Sequence, residues 1–126
     1  MTIQNLGSKG TAVDILANDV VASTANGSGV DLQGYEGDAA FILSAEAGSS
    51  GVTYAVHIEE SADNSTFTDV TDGAFTTTSA NTASFQQIAL NISDLKRYCR
   101  AAVVVAGGTG TGALTVLAYA SKKYTT

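Results

Sequence analysis

The chain has 126 residues, enough for one domain that buries about two thirds of the surface its unfolded form exposes, so a core needs no metal or disulfide to hold it. Twelve Asp and Glu against six Lys and Arg give a net charge of −6, which argues against free nucleic acid as the main ligand, because that affinity comes from cations displacing counterions. The single Cys cannot form an internal disulfide, its spacing from the single His resembles no metal motif, and no stretch reaches the ~18 apolar residues of a membrane span. The sequence predicts a soluble protein of a reducing cytoplasm with no cofactor, metal or membrane partner.

The charge is sorted along the chain. All twelve acids lie in residues 10–95, which contain no Lys or Arg, and five of the six cations follow Asp94. Sorted charge usually belongs to a surface that meets something.

In chain order, residues 1–37 are rich in Gly and Ser with short apolar pieces, and read as an N-terminal arm carrying the first short strands, at 12–16 and 29–32. The arm proper, residues 2–16, is a candidate for ordering on a partner. Residues 38–126 read as the body of the same single domain. Tyr35, in the phrase QGYEG, is an exposed aromatic candidate. Residues 39–45 are apolar on successive positions, as expected of a central strand with both faces covered.

Residues 52–60 alternate with period two. Val52, Tyr54, Val56 and Ile58 point one way, and Thr53, Ala55, His57 and Glu59 the other. The SADNS cluster at 61–65 is a turn, followed by a short strand anchored by Phe67 and Val70. Residues 85–92 alternate again, with Ile88, Leu90 and Ile92 inward and Gln87 and Asn91 wet. A single helical turn is expected at 91–95.

Residues 101–105 read as a second central strand and 112–121 as the last long one. Joined by GGTGTG, they are expected to pair as a hairpin. That register places Arg97 near Lys122 and Lys96 near Lys123, and with Lys9 these cations are the candidate contacts to a partner. Like charges face to face cost stability unless solvent or an acidic surface compensates. Gly, Thr, Ser, Asn and Val dominate and are poor helix formers. The expected fold is an all-β, antiparallel, jelly-roll-like β-sandwich with an extended N-terminal arm.

No catalytic constellation accompanies this fold. Cys99 lies beside Ala101 and Val103 as a small core residue, and His57 sits on the polar face of its strand. Glu59 and Glu60 are neighbours on a strand and diverge, and Asp63, Asp69 and Asp72 do not have EF-hand spacing. GGTGTG lacks the Lys and Ser/Thr of a phosphate loop.

Three phrases, VDLQGYEGDAAFIL at 30–43, HIEESADNSTFTDV at 57–70 and LKRYCRAAVVVAGG at 95–108, together resemble head decoration, or capsid cement, proteins of tailed bacteriophages. The resemblance implies a non-enzymatic virion protein, made in the bacterial cytoplasm, that binds the outer surface of an assembled capsid in many copies. Its implied partners are the major capsid protein and further copies of itself, as dimers or trimers. It supplies no contact residues, so the candidates remain Lys9, Tyr35, Lys96, Arg97, Lys122 and Lys123. The alternative is a carbohydrate- or receptor-binding sandwich of a virion or cell surface. Such modules usually present aromatic platforms, and this chain has no Trp.

Overall fold

The computed structural model describes residues 10–21, 25–107 and 112–122. Among the described residues nine strands form two antiparallel sheets. The first holds β1 (Gly10–Val21), β9 (Gly112–Lys122), β4 (Tyr35–Ala45) and β7 (Ser84–Asn91), in that spatial order. The second runs β2 (Ala25–Asn26), β8 (Tyr98–Ala106), β5 (Thr53–Ser61) and β6 (Thr68–Ala74), with β3 (Val30–Asp31) also paired to β8. The chain changes sheets after β1, β3, β4, β6, β7 and β8, the habit of jelly-roll sandwiches.

Period-two patterning explains the core. Phe41, Leu43, Leu114 and Val116 from the first sheet meet Tyr54, Val56, Ile58, Cys99, Ala101 and Val103 from the second, all buried. Each large side chain so enclosed contributes roughly 1.5–3 kcal/mol relative to exposure. The alternation predicted for 52–60 is the observed one along β5. The expected turn at 91–95 is a 3-10 turn at Ile92–Asp94, capped by Asn91, whose side chain accepts from the Ser93 N–H at 2.8 Å.

Three expectations are corrected. β8 and β9 do not form a hairpin: β8 pairs with β5, β9 pairs with β1 and β4, and the Gly-rich connection crosses between sheets. At the start of this crossing Gly107 has φ +86°, and a Cβ there would come 2.9 Å from the Gly51 carbonyl oxygen, so the position suits only glycine. The two central strands are not covered on both faces. On β4 Ser44 is exposed and Ile42 only half-buried, and on β8 Val104 is 45% exposed, although Ala102 is buried. From Gly10 onward the expected arm is an edge strand, with Gly10 opposite Ser121 and Val13 opposite Ala118. The earlier part of the arm lies outside the described residues.

The crossing from β6 to β7 extends β6 along the edge of β5. Phe75 N–H donates to the Val56 carbonyl at 2.9 Å, and Thr78 N–H to the Tyr54 carbonyl at 3.0 Å. In return the Tyr54 N–H donates to Thr78 Oγ1 at 2.9 Å. Gln86, on the inward phase of β7, spans to the same segment, accepting from Thr76 N–H and donating to the Thr76 carbonyl, both at 2.8 Å. These bonds continue the pairing of β5 beyond β6 and tie the crossing to β7.

Candidate partner-binding surface

The end of the sandwich where β4 begins and β9 finishes gathers most of the predicted contact residues. Tyr35, Lys96 and Arg97 line one pocket of about 290 Å³ with Leu32, Gln33, Ile92, Ser93 and Leu95. The backbone of Lys122 stands opposite Tyr35 in the β4–β9 ladder. The juxtaposition therefore arises from β4 lying beside β9 and from the 3-10 turn, not from a β8–β9 hairpin. Lys9 and Lys123 lie outside the described residues.

Arg97 is committed within the molecule. Its Nε and Nη2 donate to Asp31 Oδ1 and Oδ2 at 3.1 and 2.9 Å, a two-pronged pair, and its guanidinium lies 5.1 Å from the centre of the Tyr98 ring. The Arg97 hydrogen bond, with the Gln33 N–H, holds the Asp31 carboxyl below its usual range. β3 serves here to carry Asp31, since its pairing with β8 sets Asp31 opposite Tyr98, next to Arg97. Lys96 has an exposed side chain, and its backbone N–H donates to Glu60 Oε1 at 3.2 Å.

Leu95 also lines a second pocket, of about 350 Å³, whose other walls include Glu60, Asp72 and Asp94. A basic and an acidic recess thus adjoin across one apolar residue. The sequence hid this, because Glu60, Asp72 and Asp94 come from three elements that only the folded sandwich brings together.

The outer face of the first sheet is a second feature. Across β9, β4 and β7 the register sets Tyr119, Ala40 and Ala89 in one row, Leu117, Ile42 and Gln87 in the next, and Thr115, Ser44 and Phe85 in the third. None of these positions is charged. Phe85 is 73% exposed and Tyr119 40%. The inward phase of Gln86, Ile88 and Leu90 turns Phe85 outward, a consequence its own alternation already contained.

The geometry also speaks to chemistry. Cys99 faces the core, fully buried, with its thiol pushed up to about 12 by burial. His57 leaves the opposite face of the same sheet, so these two side chains do not meet. Glu59 and Glu60 diverge as expected. Glu59 accepts from Arg100 Nε at 2.7 Å on the outer face, while Glu60 turns to Lys96.

No protein family and no curated protein matches the sequence. Solved structures do resemble the fold. A chain of the T13 particle of infectious bursal disease virus superposes with a TM-score of 0.63 at 10% identity, over 90% of this chain and 31% of that one. The PBSX exported protein XepA gives 0.59 at 17% identity, over 92% of this chain and 38% of its own. The SPBc2 prophage-derived protein YomS gives 0.50 at 12% identity, over 87% and 92%. The chain thus spans about a third of the first two and most of the third. At these identities the likeness establishes a shared antiparallel β-sandwich, one that occurs in viral-particle and prophage-derived proteins.

Proposed function

We propose that this chain is a non-enzymatic structural protein of a phage virion that binds the outer surface of the assembled capsid and stabilises it. The observation that carries this reading is the recurrence of its sandwich, over 87–92% of its length, in a viral particle protein, a PBSX exported protein and a prophage-derived protein. The three uncharged rows across β9, β4 and β7 on the outer face of the first sheet and the basic recess around Lys96 and Tyr35 are the surfaces offered to the major capsid protein and to neighbouring copies. The mechanism is physical. A ligand that binds only the assembled shell stabilises that shell by mass action, and many copies acting together multiply modest contacts.

A sugar-binding reading has less support. Phe85 and Tyr119 stand four residues apart along the strands and two strands apart across them, about 16 Å at ordinary sheet spacings, too far to stack on one sugar ring. The test is co-sedimentation of purified protein with isolated phage shells. Saturable binding that weakens in a Lys96→Glu, Lys122→Glu double variant of unchanged stability is the expected result. Absence of binding to shells that lack this protein refutes the assignment.

A further inference from the structure

Strand pairing assembles, on the outer face of the second sheet, a group that sequence spacing did not suggest. His57 and Glu59 are two apart on β5 and leave the same face, and Glu59 pairs directly with Asp69 of β6. The ladder shifts register between His57 and Glu59, so that β6 bulges and Asp69 also reaches the imidazole. His57 Nε2 lies 3.1 Å from Asp69 Oδ1 and 3.4 Å from Glu59 Oε2, and all three side chains offer ligand atoms within 4.8 Å of one another.

The two separations from the imidazole, 3.1 and 3.4 Å, fall in the range of a coordination shell. Adjacent ligands held 2.0–2.2 Å from a tetrahedral or octahedral divalent ion stand about 2.8–3.6 Å apart. Hydrogen bonding alone accounts for the cluster poorly, because Nε2 carries at most one hydrogen in any protonation state while two carboxylate oxygens converge on it. A cation between the three atoms gives each of them a partner at once.

The surroundings fix one ligand and leave an entrance. Arg100 donates from Nε to Glu59 Oε1 at 2.7 Å and lies over the Phe67 ring, 4.1 Å from its centre. That pair holds the carboxylate in place with Oε2 turned to the imidazole, as outer-shell partners do at metal centres. The Arg100 charge also offsets one carboxylate, which limits affinity. The Asp69 side chain is 77% exposed, against 25% for His57 and 15% for Glu59, so ion and water enter from its side.

We propose that His57, Glu59 and Asp69 form a binding site for a divalent transition-metal ion of the zinc, cobalt and nickel class, with water completing the shell. One imidazole among the ligands selects these ions over calcium and magnesium, which favour all-oxygen sites. A bound ion ties β6 to β5 at the sheet edge, and as a ligand of the folded state it stabilises the domain.

The test is calorimetric titration of the full chain with zinc chloride at neutral pH, alongside NMR of the His57 ring nitrogens. Expected are one saturable site, a shift of the Nε2 resonance on zinc addition, at least tenfold weaker binding in His57→Ala and Asp69→Asn, and weaker binding of calcium than of zinc. Asp69→Asn, at an exposed side chain, is to match the parent in metal-free melting temperature, and zinc binding by His57→Ala is measured below that variant's own metal-free melting temperature. The proposal is overturned if zinc shows no saturable binding, if His57→Ala binds it as the parent does, or if calcium binds as tightly as zinc.

Discussion

Replacing Thr78 with Val keeps the shape of the side chain and removes one acceptor. Thr78 is buried, and its Oγ1 takes the Tyr54 N–H at 2.9 Å where the β6–β7 crossing runs along the edge of β5. In the variant that backbone donor loses its acceptor in a place water does not reach, a cost of about 1–3 kcal/mol. Unfolding entropy near 2.1 cal/mol/K per residue over 126 residues converts this to a fall in Tm of about 4–11 °C. Calorimetry reads the shift, and native-state hydrogen exchange locates it: the Tyr54 amide should lose protection more than that of Val56. A Tm within 2 °C of the parent, with Tyr54 protection unchanged, would refute the assignment of this bond as the clamp between crossing and strand.

Two further outcomes follow from the ionisable groups. Asp63 is held below its usual range chiefly by the Thr66 N–H, then by the Ser61 hydroxyl and the Ser65 N–H, and Asp31 by Arg97. For Glu59, burial pushes upward but Arg100 and His57 outweigh it, so its net shift is also downward. Carboxyls depressed in the folded state stabilise it above their unfolded pKa and lose that contribution as pH falls through their folded values. The urea midpoint should therefore fall from pH 5 toward pH 2, and Asp63→Asn should flatten that slope; a midpoint indifferent to acid contradicts the account. Cys99, buried and with its thiol pushed up to about 12, should resist alkylation by iodoacetamide at pH 8 until urea unfolds the chain. Labelling of the native protein at the unfolded rate contradicts its placement.

Much of the sandwich was legible because each strand has one wet face. The alternation of Val52, Tyr54, Val56 and Ile58 dictates which side of β5 is buried, whatever lies across from it. Which strand lies beside which is a different matter, and the pattern does not encode it. β8 and β9 both bury one face in the same core, so periodicity is identical whether GGTGTG turns a hairpin or crosses between sheets; pairing with β1, β4 and β5 decided it. The near-continuous apolar runs of 39–45 and 101–105 imitate doubly covered strands, although Ser44 and Val104 face outward. The basic end was legible in part. Lys96, Arg97 and Tyr35 do share a recess, but Asp31, far away in sequence, neutralises Arg97 there. The His57, Glu59 and Asp69 group was invisible because Asp69 reaches it across a register shift in the β5–β6 pair.

The central claim, reinforcement of an assembled shell, is tested most directly by heating purified phage heads with and without this protein while light scattering reports rupture. The account predicts a higher rupture temperature in the presence of the protein, rising with occupancy and levelling off when binding sites are full. An unchanged rupture temperature at full occupancy would contradict it.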